Sequence, residues 1–420
     1  MEIEILKRII EEQRNEIDLK FKSGTIIQRE YTLYVKKFIE HPNIVVVLGV
    51  RRSGKSIFSM LLANQQNAAY INFDDERLVG IAAEDLDKVL QAFYELYAEP
   101  DIIILDEIQN VDAWELFANR LRRTKKVIVT GSNSKLLSGE LATHLTGRHI
   151  DFTLYPFSFK ESLTFKPNKY LVQDIAKVRN QLQAYLQGSG FPEFAKFGSS
   201  IVVKIYEDIL TKDCIQRHKI KNEKTFKELA SYLLSNFSNE FTYSKLSRIF
   251  GIKDVHTTKN YVEYLKEAFL VLVLERFSPK LKQQIIAPKK AYAIDHGFCN
   301  FVSFRLSQDL GRVFENIVCV ELLREKAKDY SMGVYYWKGL RQEEVDFVVK
   351  KGVKIDSLIQ VCYNIDDATA KEREVKALLN ASNELRCNNL IVITAGREGE
   401  ETIKSKKVKY FPLWKWLLRA

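Results

Sequence analysis

The chain is poor in the residues that punctuate or staple a fold. It has 18 glycines, 8 prolines and 5 cysteines in 420 residues. With 46% hydrophobic residues beside them, so few breakers exclude a disordered or low-complexity chain. The cysteines (Cys214, Cys299, Cys319, Cys362, Cys387) are odd in number, scattered, and include no C-x-x-C pair. That argues against a disulfide framework or a zinc site and fits a reducing compartment. Long apolar runs are missing too. The longest, IVVVLGV from Ile44 and AFLVLVL from Ala268, fall far short of the roughly 18 residues that cross a bilayer. The opening MEIEILKRIIEEQRNEIDLK lacks the apolar centre and small-residue cleavage site of a signal peptide and reads as an amphipathic helix. The expectation is a soluble, cytoplasmic protein that does not engage a membrane.

Charge is present in both signs. The 64 basic and 54 acidic residues leave a net charge of +10, which admits a polyanionic partner without naming one. At roughly 150 residues per domain the length implies two to four domains.

The most specific pattern is IVVVLGVRRSGKSIFSM, from Ile44 to Met60. A β-branched apolar run enters Gly49-x-x-x-x-Gly54-Lys55-Ser56 and leaves into a helical pattern: strand, phosphate-binding loop and helix in order. The glycines let the backbone of Gly49, Val50, Arg51, Arg52, Ser53 and Gly54 curl so that successive N–H groups face phosphate oxygens. The start of the following helix, Lys55, Ser56 and Ile57, adds favourable partial charge. Lys55 is the candidate to reach the β- and γ-phosphates of ATP, and Ser56 to ligate Mg²⁺.

A second run, DIIILDEIQ from Asp101, is a short buried strand ending in two carboxylates and resembles a Walker B strand. In such a site Asp106 holds the Mg²⁺ shell, and Glu107 orients or deprotonates the attacking water. Further strands are expected at Ala69–Phe73, Val127–Thr130 and Ile150–Leu154, so that five strands form a parallel α/β core. The polar cluster Thr130-Gly-Ser-Asn-Ser134 has two readings. It contacts the γ-phosphate or the water, or it caps the helix that follows.

The segments GVRRSGKS, IIILDEIQ, VIVTGSNSKLLSGELATHLTGRHIDFTLYPFSFKE and SGFPEF together resemble the bacterial and archaeal AAA-type ATPases. In that group the C-terminal region is a domain of unknown function related to restriction endonucleases. The match runs in order over nearly the whole chain. The resemblance implies a sensor residue at Ser132 or Asn133. It also makes Arg148, in Thr146-Gly147-Arg148, the candidate arginine finger presented to a neighbouring subunit, which would require a homo-oligomer. The competing reading of Arg148 is a surface ion pair with Asp151.

Tyr170 to Lys221 reads as a helical, charged connector broken at Gln187-Gly-Ser-Gly-Phe-Pro192, with Arg217 on one of its helices. From Asn222 to Lys290 a helix (226–235), a short helix between Thr242 and Gly251, a longer helix (254–268) and a β-rich run follow the order of a winged helix-turn-helix. Val255, Val262, Leu265 and Phe269 are expected on its buried face. Thr257 and Asn260 are then placed to reach base edges, and Arg248, Lys253 and Lys259 to reach phosphates. Lys280, Lys282, Lys289 and Lys290 are counted as further positive charge. The alternative is a protein–protein joint.

The remaining residues begin with the strand AYAID (Ala291–Asp295) before Gly297. Glu315 on a helix, Asp346 on a strand and Gln360 on the next strand follow the layout of PD-(D/E)xK nucleases, in which carboxylates hold Mg²⁺ beside a lysine. Cys362 occupies the lysine position, so nuclease chemistry is doubtful unless another lysine, such as Lys354, substitutes. Trp337 reads as a core aromatic. The expected division is residues 1–165, an AAA-type P-loop ATPase core; 166–221, a helical lid; 222–290, a winged helix; and 291–420, a restriction-endonuclease-like α/β domain. The combined reading is an Mg²⁺-dependent ATPase that rearranges its domains on or near double-stranded DNA. The alternatives are an ATP-gated switch recruiting a protein partner through its C-terminal domain, and an ATP-gated nuclease.

Overall fold

In the computed structural model of the chain, residues 1–24, 26–63, 67–137, 145–167, 171–304 and 309–419 are described, Lys135 and Leu137 by their backbone alone. Tyr170 and the part of the Val127–Glu161 motif at 138–144 lie outside them. The chain divides into two compact units, Met1–Tyr155 with the short stretch Glu267–Phe269, and the rest.

The first unit is built on a five-stranded sheet of order β2-β3-β4-β1-β5. Its strands are β1 (Ile44–Leu48), β2 (Ala68–Asn72), β3 (Ile102–Asp106), β4 (Lys126–Gly131) and β5 (His149–Thr153), and every pairing is parallel. A parallel sheet is covered on both faces, so its central strands carry no polar alternation. IVVVL and IIILD are buried at every position. Helices α1 (Ile3–Lys22), α2 (Thr32–Ile39), α3 (Lys55–Ala63), α4 (Leu86–Tyr97) and α5 (Trp114–Leu121) complete the unit. The amphipathic reading of the N-terminus matches α1, which buries Leu6, Ile9, Ile10 and Ile17 at helical spacing. Gln13, buried with them, accepts from the Asn72 N–H and donates to the Asn72 carbonyl, tying α1 to the end of β2.

In the second unit, β6 (Glu240–Phe241), β8 (Lys289–Ala293) and β7 (Val271–Glu275) form an antiparallel sheet in that order. A six-stranded sheet has the order β13-β14-β12-β11-β10-β9, from β9 (Met332–Lys338), β10 (Glu344–Lys351), β11 (Lys354–Cys362), β12 (Leu390–Thr394), β13 (Gly399–Ile403) and β14 (Lys406–Pro412). Trp337 is buried in its core with Val348, Leu358, Leu378 and Val392. The expected boundary between residues 290 and 291 falls inside β8. The connector is helical at Val172–Gln187 and from Ser199 onward, with the break at the Gly188–Pro192 loop. There Asp295 accepts from Ser189 Oγ and from the N–H groups of Gly190 and Gly297, fastening the loop to the end of β8.

The helix Val255–Glu267 corrects one expectation. Val255 is 41% exposed, and the buried face is Thr258, Tyr261, Val262 and Leu265. Positions 258, 261, 262 and 265 follow the three- and four-residue spacing of one helix face, and the helix only begins at Val255. Lys253, Lys259, Asn260 and Arg248 are exposed.

Candidate functional site

The C-terminal ends of β1, β3 and β4 meet on one edge of the parallel sheet, the edge where ligands bind in such folds. The loop after β1 turns sharply at Gly49, where a Cβ would lie 2.3 Å from the Leu154 carbonyl oxygen. Its backbone has positive φ again at Arg52 (62°) and Gly54 (94°). Helix α3 starts directly at Lys55, so its unpaired N–H groups open onto the loop. Val50 and Ser53 are buried, and the Ser53 hydroxyl is enclosed without a hydrogen-bond partner. Arg52 is exposed, while Arg51 donates to Asp74 at 2.9 Å.

Lys55 is buried, and its ammonium is 3.0 Å from Glu107 Oε1, with the Gly49 and Val50 carbonyls at 3.2 and 3.4 Å. Glu107 itself is left-handed (φ 51°, ψ 41°) at the exit of β3. Such a conformation costs a non-glycine residue about 1–3 kcal/mol and concentrates at functional sites. Its second oxygen, Oε2, accepts from Gln109 Nε2 at 2.6 Å and from the Ser132 N–H at 3.0 Å. Burial pushes the Glu107 carboxyl up, but the charge of Lys55, hydrogen bonds from Gln109 and Lys55, and the charge of Arg51 outweigh it and hold the group at about 2.

Asp106 is fully buried. It accepts from the Tyr70 hydroxyl at 2.6 Å and from Thr130 Oγ1, while Thr130 Oγ1 in turn accepts from the Glu107 N–H at 3.0 Å. Burial first, and the adjacent Glu107 charge second, raise the Asp106 carboxyl; hydrogen bonds from Ser56, Thr130 and Tyr70 oppose them. Ser56, Asp106, Glu107, Lys55 and Ser132 are therefore brought together. Asn133 is buried beside Ser132, whereas Ile57 is half-buried on the first turn of α3.

Sequence reasoning missed Tyr70 and Gln109, and named Thr130 only as the head of the polar cluster, not as a partner of Asp106. Tyr70 is an alternating-strand residue with no local signal. Thr130 and Gln109 stood inside recognised motifs, and their polarity next to buried strands was the available sign.

Arg148 does not join them within one subunit. Its carbonyl accepts from the Ile44 N–H, and β5 pairs with β1 from His149 opposite Ile44. It therefore stands at the edge of the sheet opposite the loop, roughly 16 Å along the five-residue β1.

In the second unit the nuclease-like positions also converge, with an addition. Lys290, counted from sequence as surface charge, is 2% exposed, and its ammonium is 2.9 Å from Glu315, 2.5 Å from Glu344 and 3.5 Å from Asp346. Tyr292 donates to Glu315 at 2.7 Å. Gln360 Oε1 accepts from the Asp346 N–H, and Gln360 Nε2 donates to Glu374 at 2.5 Å. Strand alternation explains Lys290, because positions 290 and 292 of β8 point to the same side. Lys354 is exposed at the far end of β11, opposite Lys351, and does not substitute at Cys362. An ammonium standing between Glu315, Glu344 and Asp346 occupies the space a metal ion would need. In this arrangement the residues do not fit Mg²⁺.

Three family models match the chain: an AAA domain over residues 41–163, a domain of unknown function (DUF8612) over 179–309 and another (DUF4143) over 310–416. A relative in Methanocaldococcus jannaschii, "Uncharacterized protein MJ1544", is 36% identical across 94% of this chain and 92% of its own length. The chain belongs to the same family as that protein, with an AAA domain at residues 41–163. A second relative, an "Uncharacterized protein" of Haemophilus influenzae, is 29% identical over 93% of this chain and 99% of its own length. Among solved structures, a replication initiator DnaA bound to AMPPCP and single-stranded DNA aligns over 58% of this chain and 91% of that one. At 18% identity and a TM-score of 0.27 that likeness carries no argument. The AAA match covers the parallel sheet and all of the Lys55–Glu107 site. No helix among the described residues is long and apolar enough to cross a membrane.

Proposed function

We propose that this AAA-domain protein binds and hydrolyses ATP at the edge formed by β1, β3 and β4. The observation that carries the reading is the ion pair between Lys55 and Glu107 at 3.0 Å. The lysine of the phosphate-binding loop is closed on an anion, and that anion is the candidate base. The surroundings suit a triphosphate. The enclosed Ser53 hydroxyl lacks a partner, the loop leaves no room for a Cβ at Gly49, and α3 turns its N-terminus to the site. In this reading Lys55 leaves Glu107 for the β- and γ-phosphates, and Glu107 becomes free to take a proton from water. Mg²⁺ would be held at Ser56 and Asp106 and would neutralise charge on the phosphate oxygens. Tyr70 and Thr130 fix Asp106, and Ser132 fixes Glu107. Arg148 serves only by reaching a neighbouring subunit's site, which ties that role to a homo-oligomer.

The test is Glu107→Gln in the full chain. It should bind ATP with wild-type affinity while turnover falls by about 100-fold or more. Wild-type hydrolysis by this variant would refute the base assignment.

Double-stranded DNA is the partner we assign to the helix Val255–Glu267. The order of helices and strands around it follows a winged helix, and Arg248, Lys253, Lys259 and Asn260 are exposed while the opposite face is buried. Binding to duplex DNA should weaken steeply with salt as counterions are released. No binding at low salt, with or without nucleotide, would transfer the assignment to a protein partner. The cluster around Lys290 is a retained scaffold: a lysine ammonium stands between its three carboxylates, so plasmid incubated with the protein and Mg²⁺ should stay intact.

A further inference from the structure

We propose that Gln109 is a positioning residue for Glu107: with the Ser132 amide it anchors Oε2 of the carboxylate, so that Oε1 alone exchanges Lys55 for the attacking water. The inference rests on the ATPase reading above.

The two oxygens of Glu107 are treated differently. Oε1 faces Lys55 and loses that partner when the lysine turns to phosphate. Oε2 has two other donors, Gln109 Nε2 at 2.6 Å and the Ser132 N–H at 3.0 Å, neither of them Lys55. The carboxylate thus stays in place with one oxygen released. A free carboxylate would follow its lysine or rotate, and small displacements of a reacting group are expensive.

Gln109 is committed to this bond. Its other amide atom, Oε1, is buried and accepts no hydrogen bond. A buried amide that leaves half its capacity unused is rare and asks for a reason. Here the reason is the donor end, which must face the carboxylate because an ionised carboxylate only accepts. The local backbone is built to allow it. The left-handed Glu107 leads into the tight turn Ile108–Asn110, which folds the side chain two positions on back over the carboxylate. Gly131 provides the room, since a Cβ there would lie 3.0 Å from Gln109 Oε1. In the step itself, Glu107 Oε1 takes a proton from water, the water oxygen bonds to the γ-phosphorus, and the bond from that phosphorus to the β,γ-bridging oxygen breaks to leave ADP and phosphate.

The experiment measures steady-state ATPase activity of the full chain carrying Gln109→Met, which keeps length without a donor, or Gln109→Asn, which keeps the amide but shortens its reach. Both should lose about 100-fold in kcat. KM for ATP and Kd for a non-hydrolysable analogue should stay within about threefold, since ground-state binding is untouched. Wild-type kcat in either variant overturns the proposal, as does a fall in kcat with an equal loss of analogue affinity. Glu107→Gln and wild type run in parallel separate the failures: if Glu107→Gln is inactive while the Gln109 variants are normal, only the Gln109 inference falls; if Glu107→Gln is active the base assignment falls with it; and if the wild-type chain does not hydrolyse ATP the ATPase reading falls first.

Discussion

Replacing Lys290 with Met tests whether the second unit is held together by an internal ion cluster. The side chain is 2% exposed, and among its partners Asp346 and Glu315 are nearly as enclosed, while Glu344 retains 30% of its accessibility and can turn to water. Removing one partner of a buried pair costs about 3–5 kcal/mol, because a charge is left without compensation. With two carboxylates stranded, about 4 kcal/mol is expected. At about 2–4 °C per kcal/mol for a body of this size, the melting temperature should fall by roughly 8–16 °C. The pH dependence has a definite sign. Burial and the neighbouring Glu315 charge raise the Asp346 carboxyl well above its ordinary 3.8, and Lys290 opposes them. A carboxyl raised on folding takes up a proton, so the stability linked to it is greatest below 3.8 and is lost as pH rises through the folded value. Without Lys290 that value rises further, and the deficit should be larger at pH 8 than at pH 5. Urea unfolding is the assay, followed by fluorescence; three of the four tryptophans, Trp337, Trp414 and Trp416, belong to this unit. Asp346→Asn should recover part of the loss in the double variant. A deficit below about 1 kcal/mol at pH 8, or full additivity with Asp346→Asn, would refute the reasoning.

Four further outcomes are expected. Lys55→Ala should abolish ATP binding measured by calorimetry, since the loop loses its only buried cation among the described residues. The pairing that holds Glu107 at about 2, against an ordinary 4.5, should stabilise the first unit above pH 4.5 and be lost as pH falls toward 2, so the melting-temperature gap between wild type and Lys55→Met should narrow over that range. Tyr70→Phe removes a donor from a buried carboxylate and should cost about 1–3 kcal/mol in urea unfolding, with no change expected in the second unit. Combined alanine substitution of Arg248, Lys253 and Lys259 should flatten the salt dependence of duplex binding by about 2–3 in the log–log slope if all three meet phosphates.

Much of the nucleotide site was legible because its signals are local. A glycine-bounded loop between an all-apolar strand and a helix can hardly be built otherwise, and a strand ending in Asp106-Glu107 announces its own polarity. The parallel strands were readable within one residue at each end: β1 and β3 are buried throughout and have no polar alternation to obscure them, and the half-buried edge strand β5 alternates. Where the pattern was shorter, it misled. Val255 was assigned to the core because it falls on one helix face with Val262, Leu265 and Phe269, yet as the first residue of its helix it has no preceding turn to pack beneath it. Lys290 was counted with Lys280, Lys282 and Lys289 as further positive charge, because lysines are mostly exposed.

Sequence alone determined that the chain carries a phosphate-binding loop, a partnered acidic strand and a parallel core, since each depends on residues adjacent in the chain. Tertiary structure decided what those groups touch. It closed Lys55 on Glu107, set Gln109 and Ser132 behind the second carboxylate oxygen, put Arg148 at the far edge of the sheet, and carried Lys290 from β8 into the carboxylates of a helix and of β10. Apart from Gln109, which lies two positions from Glu107, those partners are separated by tens of residues. Their meeting depends on strand order and side-chain direction, which no local pattern encodes.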